Sequence, residues 1–254
     1  MTTFSANLGF LWQDLGLPDA IRAAARAGFV AVELHWPYDT PTEGIRAALD
    51  ETGLPLLGLN TLRGIPGENG LSALPGREAE AKAAIDEAIA YADAVGAEAV
   101  HVMAGFAQGE AAYATFIDNL NYACSQTERV ILIEPLNRHD SPNYFLGTTD
   151  LAQEIIADVA APNLRLMFDC YHVARNEGDV LTRLGALLPI LGHIQVASVP
   201  DRGPPDHGEL HYPTVFEELS RLGWERPLGA EYKPTKPTEQ TLAWLDAYSS
   251  QRPV

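Results

Sequence analysis

The stretch ILIEP (131–135) follows a polar break, QTER (126–129), and its reading decides the fold. So short a run of aliphatic and β-branched residues forms a buried strand. This one delivers a carboxylate at its end and then stops on a proline. The same order recurs at RLMFDCYH (165–172), GHIQVAS (192–198) and PLGAEYKP (227–234). Each is an apolar strand with one oxygen-bearing side chain near its carboxyl end, followed by a loop.

Outward from these four, strand-like runs cover 5–11, 30–36, 54–62, 97–105, 130–137, 164–171, 190–198 and 227–233. Segments with helical spacing lie between them, among them 17–28, 41–53, 77–96, 148–160 and 238–251. The first three close on Gly28, Gly53 and Gly96, where a glycine takes the left-handed conformation that ends a helix. The fourth opens on a Thr/Asp cap. Strand then helix, repeated eight times with no break in composition, predicts parallel strands joined by helical crossovers. The most economical closure is a single (β/α)8 TIM barrel spanning 1–254, a length such barrels commonly have. A doubly wound open sheet is the rival, but no Gly-x-Gly-x-x-Gly follows the first strand.

In such a barrel the carboxyl ends of the strands converge on one mouth. Glu134, Asp169, Gln195 and Glu231 then meet there from strands five to eight. Carboxylates forced together either take up protons or hold a cation. Three carboxylates and an amide carbonyl make a hard, all-oxygen set suited to Mg2+ or Mn2+ rather than zinc. A cation that polarises a substrate carbonyl acidifies the neighbouring C–H, and carboxylates on opposite walls can then remove and return a proton. Lys233 shares the face of Glu231, because side chains alternate along a strand. His172 sits where strand six becomes loop and can reach a substrate oxygen. Arg202, in the loop SVPDRGPPDHGE (198–209), can clamp a carboxylate. His101 and His193 fall one layer below the mouth as core histidines, and Glu33 and His35 share the inward face of strand two as supporting hydrogen-bond partners.

The net charge of −17 disfavours a polyphosphate partner, so nucleic acid is not expected. No apolar run is long enough to cross a bilayer, and MTTFSANLGF lacks the features of a signal peptide. Both point to a cytoplasmic protein without a membrane partner. Cys124 and Cys170 read as reduced core thiols.

The stretches EPLNRHDSPNYFL, FDCYH, GHIQVA, GAEYKP, HVMAG (101–105) and ALPGREAE (73–80) resemble the hydroxypyruvate isomerase family. That family includes a 2-oxo-tetronate isomerase branch and lies within the xylose isomerase-like barrels. The resemblance runs along nearly the whole chain. It implies a divalent metal held by Glu134, Asp169, Gln195 and Glu231, with Glu134 and Glu231 also as catalytic proton donor and acceptor. It places His172 and Arg202 where related sugar epimerases contact substrate. Those epimerases carry histidine where this chain has Gln195, which favours the isomerase branch. Family members often have an acidic or amide residue before the proline of the seventh loop, where this chain has Ser198-Val199-Pro200, and this bears on substrate preference.

The activity so implied interconverts hydroxypyruvate and tartronate semialdehyde through an enediolate, with a 2-oxo-tetronate as the close alternative substrate and a sugar epimerase further off. The partner is then a small 2-oxo acid, and homo-oligomerisation is left open. A metal-dependent nuclease would need a His-rich multi-metal cluster and a basic groove, neither evident here. A non-catalytic sugar-acid sensor would not need the Glu134/Glu231 pair.

Overall fold

The computed structural model describes residues 2–249. Eight strands, β1 (Phe4–Asn7), β2 (Ala31–Glu33), β3 (Gly58–Asn60), β4 (Ala99–His101), β5 (Val130–Ile133), β6 (Leu164–Asp169), β7 (Leu191–Val196) and β8 (Leu228–Ala230), pair in parallel in the order β2-β1-β8-β7-β6-β5-β4-β3. A parallel bridge between Val32 and Leu56 and the bonds Leu34 N to Gly58 O (3.0 Å) and Asn60 N to His35 O (2.9 Å) bring β2 against β3. The strands therefore curl into a nearly closed ring, the expected (β/α)8 barrel.

Outside the ring run α1 (Leu17–Ala27), α2 (Thr42–Thr52), α3 (Glu78–Val95), α4 (Gly109–Gln126), α5 (Thr149–Val159), α6 (Cys170–Asn176), α7 (Val180–Leu187), α8 (Tyr212–Arg221) and α9 (Ala243–Tyr248). Gly28, Gly53 and Gly96 end α1, α2 and α3 in the left-handed region, and the Thr148 hydroxyl caps α5 by accepting from Leu151 N. The inner helix faces are rich in alanine, for instance Ala84, Ala88 and Ala92 of α3, which lets helices lie close on the strands. Burying each larger aliphatic there, such as Ile85 or Leu120, contributes about 1.5–3 kcal/mol.

The helix expected over 238–251 is broken. A 3-10 turn, Thr238–Thr241, precedes α9, because the Thr241 hydroxyl bonds Thr238 O (2.7 Å) and meets the Tyr232 hydroxyl (2.8 Å). Residues 250–251 of that expectation lie outside the described residues. The strand expected over 164–171 also ends early: Asp169 Oδ1 accepts from Tyr171 N (2.8 Å), so Cys170 opens α6. Cys170 is fully buried and Cys124, in α4, is half-buried; both are free thiols.

Two packing layers result. The large apolar core lies between strands and helices, whereas inside the ring Ala99, Leu132 and Met167 form a small apolar patch. The remaining interior includes Ser5, Asn7, Glu33, His101, His193 and Gln195, all buried. The register of β6 against β7 shifts once, so that Leu166 pairs with Leu191 but Met167 with His193. Gly192 is the extra residue, and a Cβ there would lie 2.5 Å from Arg165 Cβ. This irregularity sets Asp169 opposite Gln195 with both at the mouth; without it the pairing slips by one residue.

Candidate active site

Glu134, Asp169, Gln195 and Glu231 lie at the carboxyl ends of β5 to β8 and are all nearly inaccessible to solvent. One oxygen from each of three side chains, Glu134 Oε1, Asp169 Oδ2 and Gln195 Oε1, is buried with no hydrogen-bond partner. Buried oxygens without partners are costly; Glu134 Oε1 and Asp169 Oδ2 both lie within 4 Å of His172 Nε2, and Gln195 pairs with Asp169 in the ladder, which describes a place for a cation. Glu134, Asp169 and His172 each offer an atom within 4.8 Å of the others, a group able to hold a metal. The other Gln195 amide atom is committed, since Nε2 donates to Glu33 Oε2 at 2.8 Å.

Burial, with the charges of Glu231 and Asp169 behind it, raises the Glu134 carboxyl well above the usual range. Burial likewise pushes Asp169 up to about 7 against the pull of Arg202, with Glu231 adding to the rise. Both would release their protons to a divalent cation. Glu231 is different. Burial is outweighed there by the Arg202 guanidinium and by His35, which hold its carboxyl down at about 2. Arg202 Nη2 lies 2.9 Å from Glu231 Oε2, and His35 Nε2 lies 2.9 Å from Oε1.

The backbone N–H of Asn137 donates to His172 Nδ1 at 2.9 Å, so the ring proton of neutral His172 sits on Nε2. Burial, followed by the charge of Arg202, lowers the imidazole to about 3 and keeps it neutral. Nε2 lies 3.6 Å from Asp169 Oδ2 and 3.9 Å from Glu134 Oε1. It is a hydrogen-bond donor aimed into the site, which leaves the oxygens as the ligand atoms.

A cavity of about 400 Å³ opens above these groups, lined by Glu134, Glu231, His172, Arg202, Lys233 and Trp36 among others. The Arg202 guanidinium lies 5.0 Å from the Phe10 ring and 5.1 Å from the Tyr171 ring, and 3.6 Å from Asp169 Oδ2. Its backbone φ is 55°, and its carbonyl accepts from Lys233 N at 2.7 Å, so the two cations are held as neighbours. Lys233 has no carboxylate within ion-pair range among the described residues, and its Nζ lies 5.9 Å from the Phe10 ring. The structure thus gathers every candidate residue at one mouth, with Arg202 already paired and Lys233 free. Phe10, Trp36 and Arg63, from the loops after β1, β2 and β3, also line the cavity and were not singled out from sequence. The aromatic residues closing the first two strand-like runs were the available signal. Glu33 and His35 make the supporting hydrogen bonds expected of them, and His101 Nδ1 lies 3.2 Å from Asn60 Oδ1.

The sequence model of the family described as Xylose isomerase-like TIM barrel matches residues 21–248. The chain belongs to that family. Within the family it is 41% identical over 257 residues to the 2-oxo-tetronate isomerase of Cupriavidus necator, covering 98% of this chain and 99% of that protein. It is 34% identical over 262 residues to the hydroxypyruvate isomerase of Escherichia coli, covering 98% of this chain and 100% of that protein. A crystal structure named AP endonuclease, family 2, from Brucella melitensis superposes with a TM-score of 0.94 at 35% identity, covering 98% of this chain and 99% of that one. The resemblance read from the strand-end motifs is borne out, and the enzyme is an isomerase of this group.

Proposed function

We propose that this isomerase interconverts a small 2-oxo acid bearing an adjacent hydroxymethyl carbon with its aldehyde partner, as hydroxypyruvate with tartronate semialdehyde. The observation that carries this is the placement of Glu134 and Glu231. They stand three strands apart and both open into the same cavity, and Glu134 carries one of the unpartnered oxygens. The donor set fits a hard divalent cation, Mg2+ or Mn2+, held by Glu134, Asp169, Gln195 and Glu231. When bound, that cation supplies Lewis acidity to the substrate carbonyl.

The chain's own groups account for the proton movements. One of Glu134 and Glu231 takes a proton from C3, the C2=O double bond opens, and an enediolate forms across C2 and C3. The other glutamate delivers a proton to C2 while the proton of the C3 hydroxyl passes to the C2 oxygen, so the carbonyl moves to C3, the C2 oxygen becomes a hydroxyl and the atoms balance. The Nε2–H of His172 donates to an enediolate oxygen. Lys233, and Arg202 through the donors not spent on Glu231, bind the substrate carboxylate and offset the repulsion of a protein with net charge −17. That same charge makes nucleic acid a poor partner.

A four-carbon 2-oxo-tetronate is the second reading, favoured by the 41% identity to a protein named for it. An activity screen over hydroxypyruvate, 2-oxo-tetronates and free ketoses, each with Mg2+ or Mn2+, tests both. Turnover of a 2-oxo acid and none of a ketose is expected. Turnover of ketoses alone would overturn the proposal.

A further inference from the structure

The geometry points to Glu33 as a positioning residue that fixes which end of the Gln195 amide faces the site. The inference rests on reading Gln195 as a cation ligand, and it concerns a residue two strands beyond the site in the ring. Glu33 ends β2, yet its carboxylate reaches past β1 and β8 to β7. The passage exists because β8 has Gly229 at that level. Gly229 pairs with Ser5 on one side and with Gln195 on the other. A Cβ at Gly229 would stand 2.5 Å from Glu33 Oε1 and 2.7 Å from Gln195 Cγ, so any side chain there would push the two apart.

Each carboxylate oxygen of Glu33 is held. Ser5 Oγ donates to Oε1 at 2.5 Å and Gln195 Nε2 donates to Oε2 at 2.8 Å, while His193 Nε2 lies 3.1 Å from Oε2.

With the Ser5 hydroxyl donating to one oxygen and the Gln195 amide to the other, the Glu33 carboxyl acts as an acceptor at both atoms. It therefore admits the NH2 end of Gln195 and rejects the carbonyl end, which settles the amide's orientation. The rejected oxygen, Oε1, is then the buried, unpartnered atom, on the residue that pairs with Asp169 across β6 and β7. Were the amide free to turn, the site would present an NH2 group to a cation. Donation to an anion also draws electron density toward Oε1, which makes it a better ligand.

The experiment is direct Mn2+ titration of wild type, Asp169→Asn, Glu33→Gln and Glu33→Asp, with thermal melting of each to confirm that it is folded. Glu33→Gln removes the charge but keeps an oxygen within reach of Gln195. Glu33→Asp keeps the charge but withdraws it by one methylene. The expected result is a few-fold loss of Mn2+ affinity in Glu33→Gln and a loss of about 10–100-fold in Glu33→Asp, the range for residues that orient metal ligands. The reverse order, equal losses, or no loss in either would overturn the role of Glu33 while wild type still binds and Asp169→Asn does not. Absence of Mn2+ binding by wild type would instead remove the ligand reading on which the inference stands.

Discussion

The Arg202 guanidinium lies 2.9 Å from Glu231 Oε2, with only 12% of the Arg202 side chain and 8% of the Glu231 side chain exposed. At that burial, removing one partner strands the other's charge. Arg202→Ala is expected to destabilise the fold by about 3–5 kcal/mol, measured by denaturant unfolding. Arg202→Lys should recover little, because a planar fork stacked between Phe10 and Tyr171 is replaced by a point charge. A lysine variant as stable as wild type would show that charge alone suffices.

Lys233 is the cation left free to meet a substrate carboxylate. Lys233→Ala should lower kcat/KM about tenfold to a hundredfold, as expected for losing one charge-assisted hydrogen bond of roughly 1.5–3 kcal/mol. Inhibition constants of a non-reacting carboxylate analogue and of its uncharged amide, measured on wild type and Lys233→Ala, separate this role from a structural one. An equal loss of binding for both analogues would place the carboxylate elsewhere.

Asp169 has two duties, since Oδ1 caps α6 through Tyr171 N while Oδ2 faces the site. Asp169→Asn should keep the cap and lose the cation. Asp169→Ala should lose both, with an added cost of about 0.5–2 kcal/mol for the cap. Wild-type Mn2+ affinity should fall as pH drops through about 7, because the Asp169 carboxyl, raised to that value, must release its proton when the cation binds. Titrations at several pH values check both statements, and a pH-independent affinity would contradict the second.

The chemical step predicts isotope behaviour. If glutamates carry the proton, turnover in D2O places deuterium on product carbon or washes it into recovered substrate. Glu134→Gln and Glu231→Gln should each lose several orders of magnitude in kcat, with metal content measured alongside. Complete internal transfer of a C3 deuterium label to C2, with none taken from solvent, would establish a hydride shift in place of the enediolate.

The loop carrying Arg202 should be sensitive to pH. His207 Nδ1 lies 2.7 Å from Asp206 Oδ1 and Nε2 lies 2.9 Å from Asp201 Oδ2, while Ser198 Oγ donates to Asp201. Hydrogen bonds to Asp206 and then Asp201 raise the His207 imidazole above its ordinary value. The folded value exceeds the unfolded one, so the stabilisation is complete below about 6.5 and is lost as pH rises through the folded value. Melting temperatures of wild type and His207→Gln should converge above that range, and salt should weaken the difference because the groups are half exposed. Parallel curves at every pH would exclude the ionic clamp.

Local pattern and spacing determined the barrel and the strand-end residues. ILIEP, MFD, HIQV and GAE each carry a two-residue alternation and a polar end, and in a ring of parallel strands such ends have one place to go. That information is local. The tertiary structure decided what depends on residues distant in the chain. Only packing shows that Gly192 supplies the irregularity setting Asp169 opposite Gln195, since the spare residue becomes visible when β6 lies against β7. Only packing shows that Arg202 is held by Glu231 and that Lys233 is not held, because both outcomes depend on how the loop 198–209 folds back to β8. The tautomer of His172 likewise follows from a backbone N–H 35 residues earlier. Alternation along a strand fixes the face a side chain takes, but hydrogen bonds between distant strands and loops fix which of its atoms stays free to do chemistry.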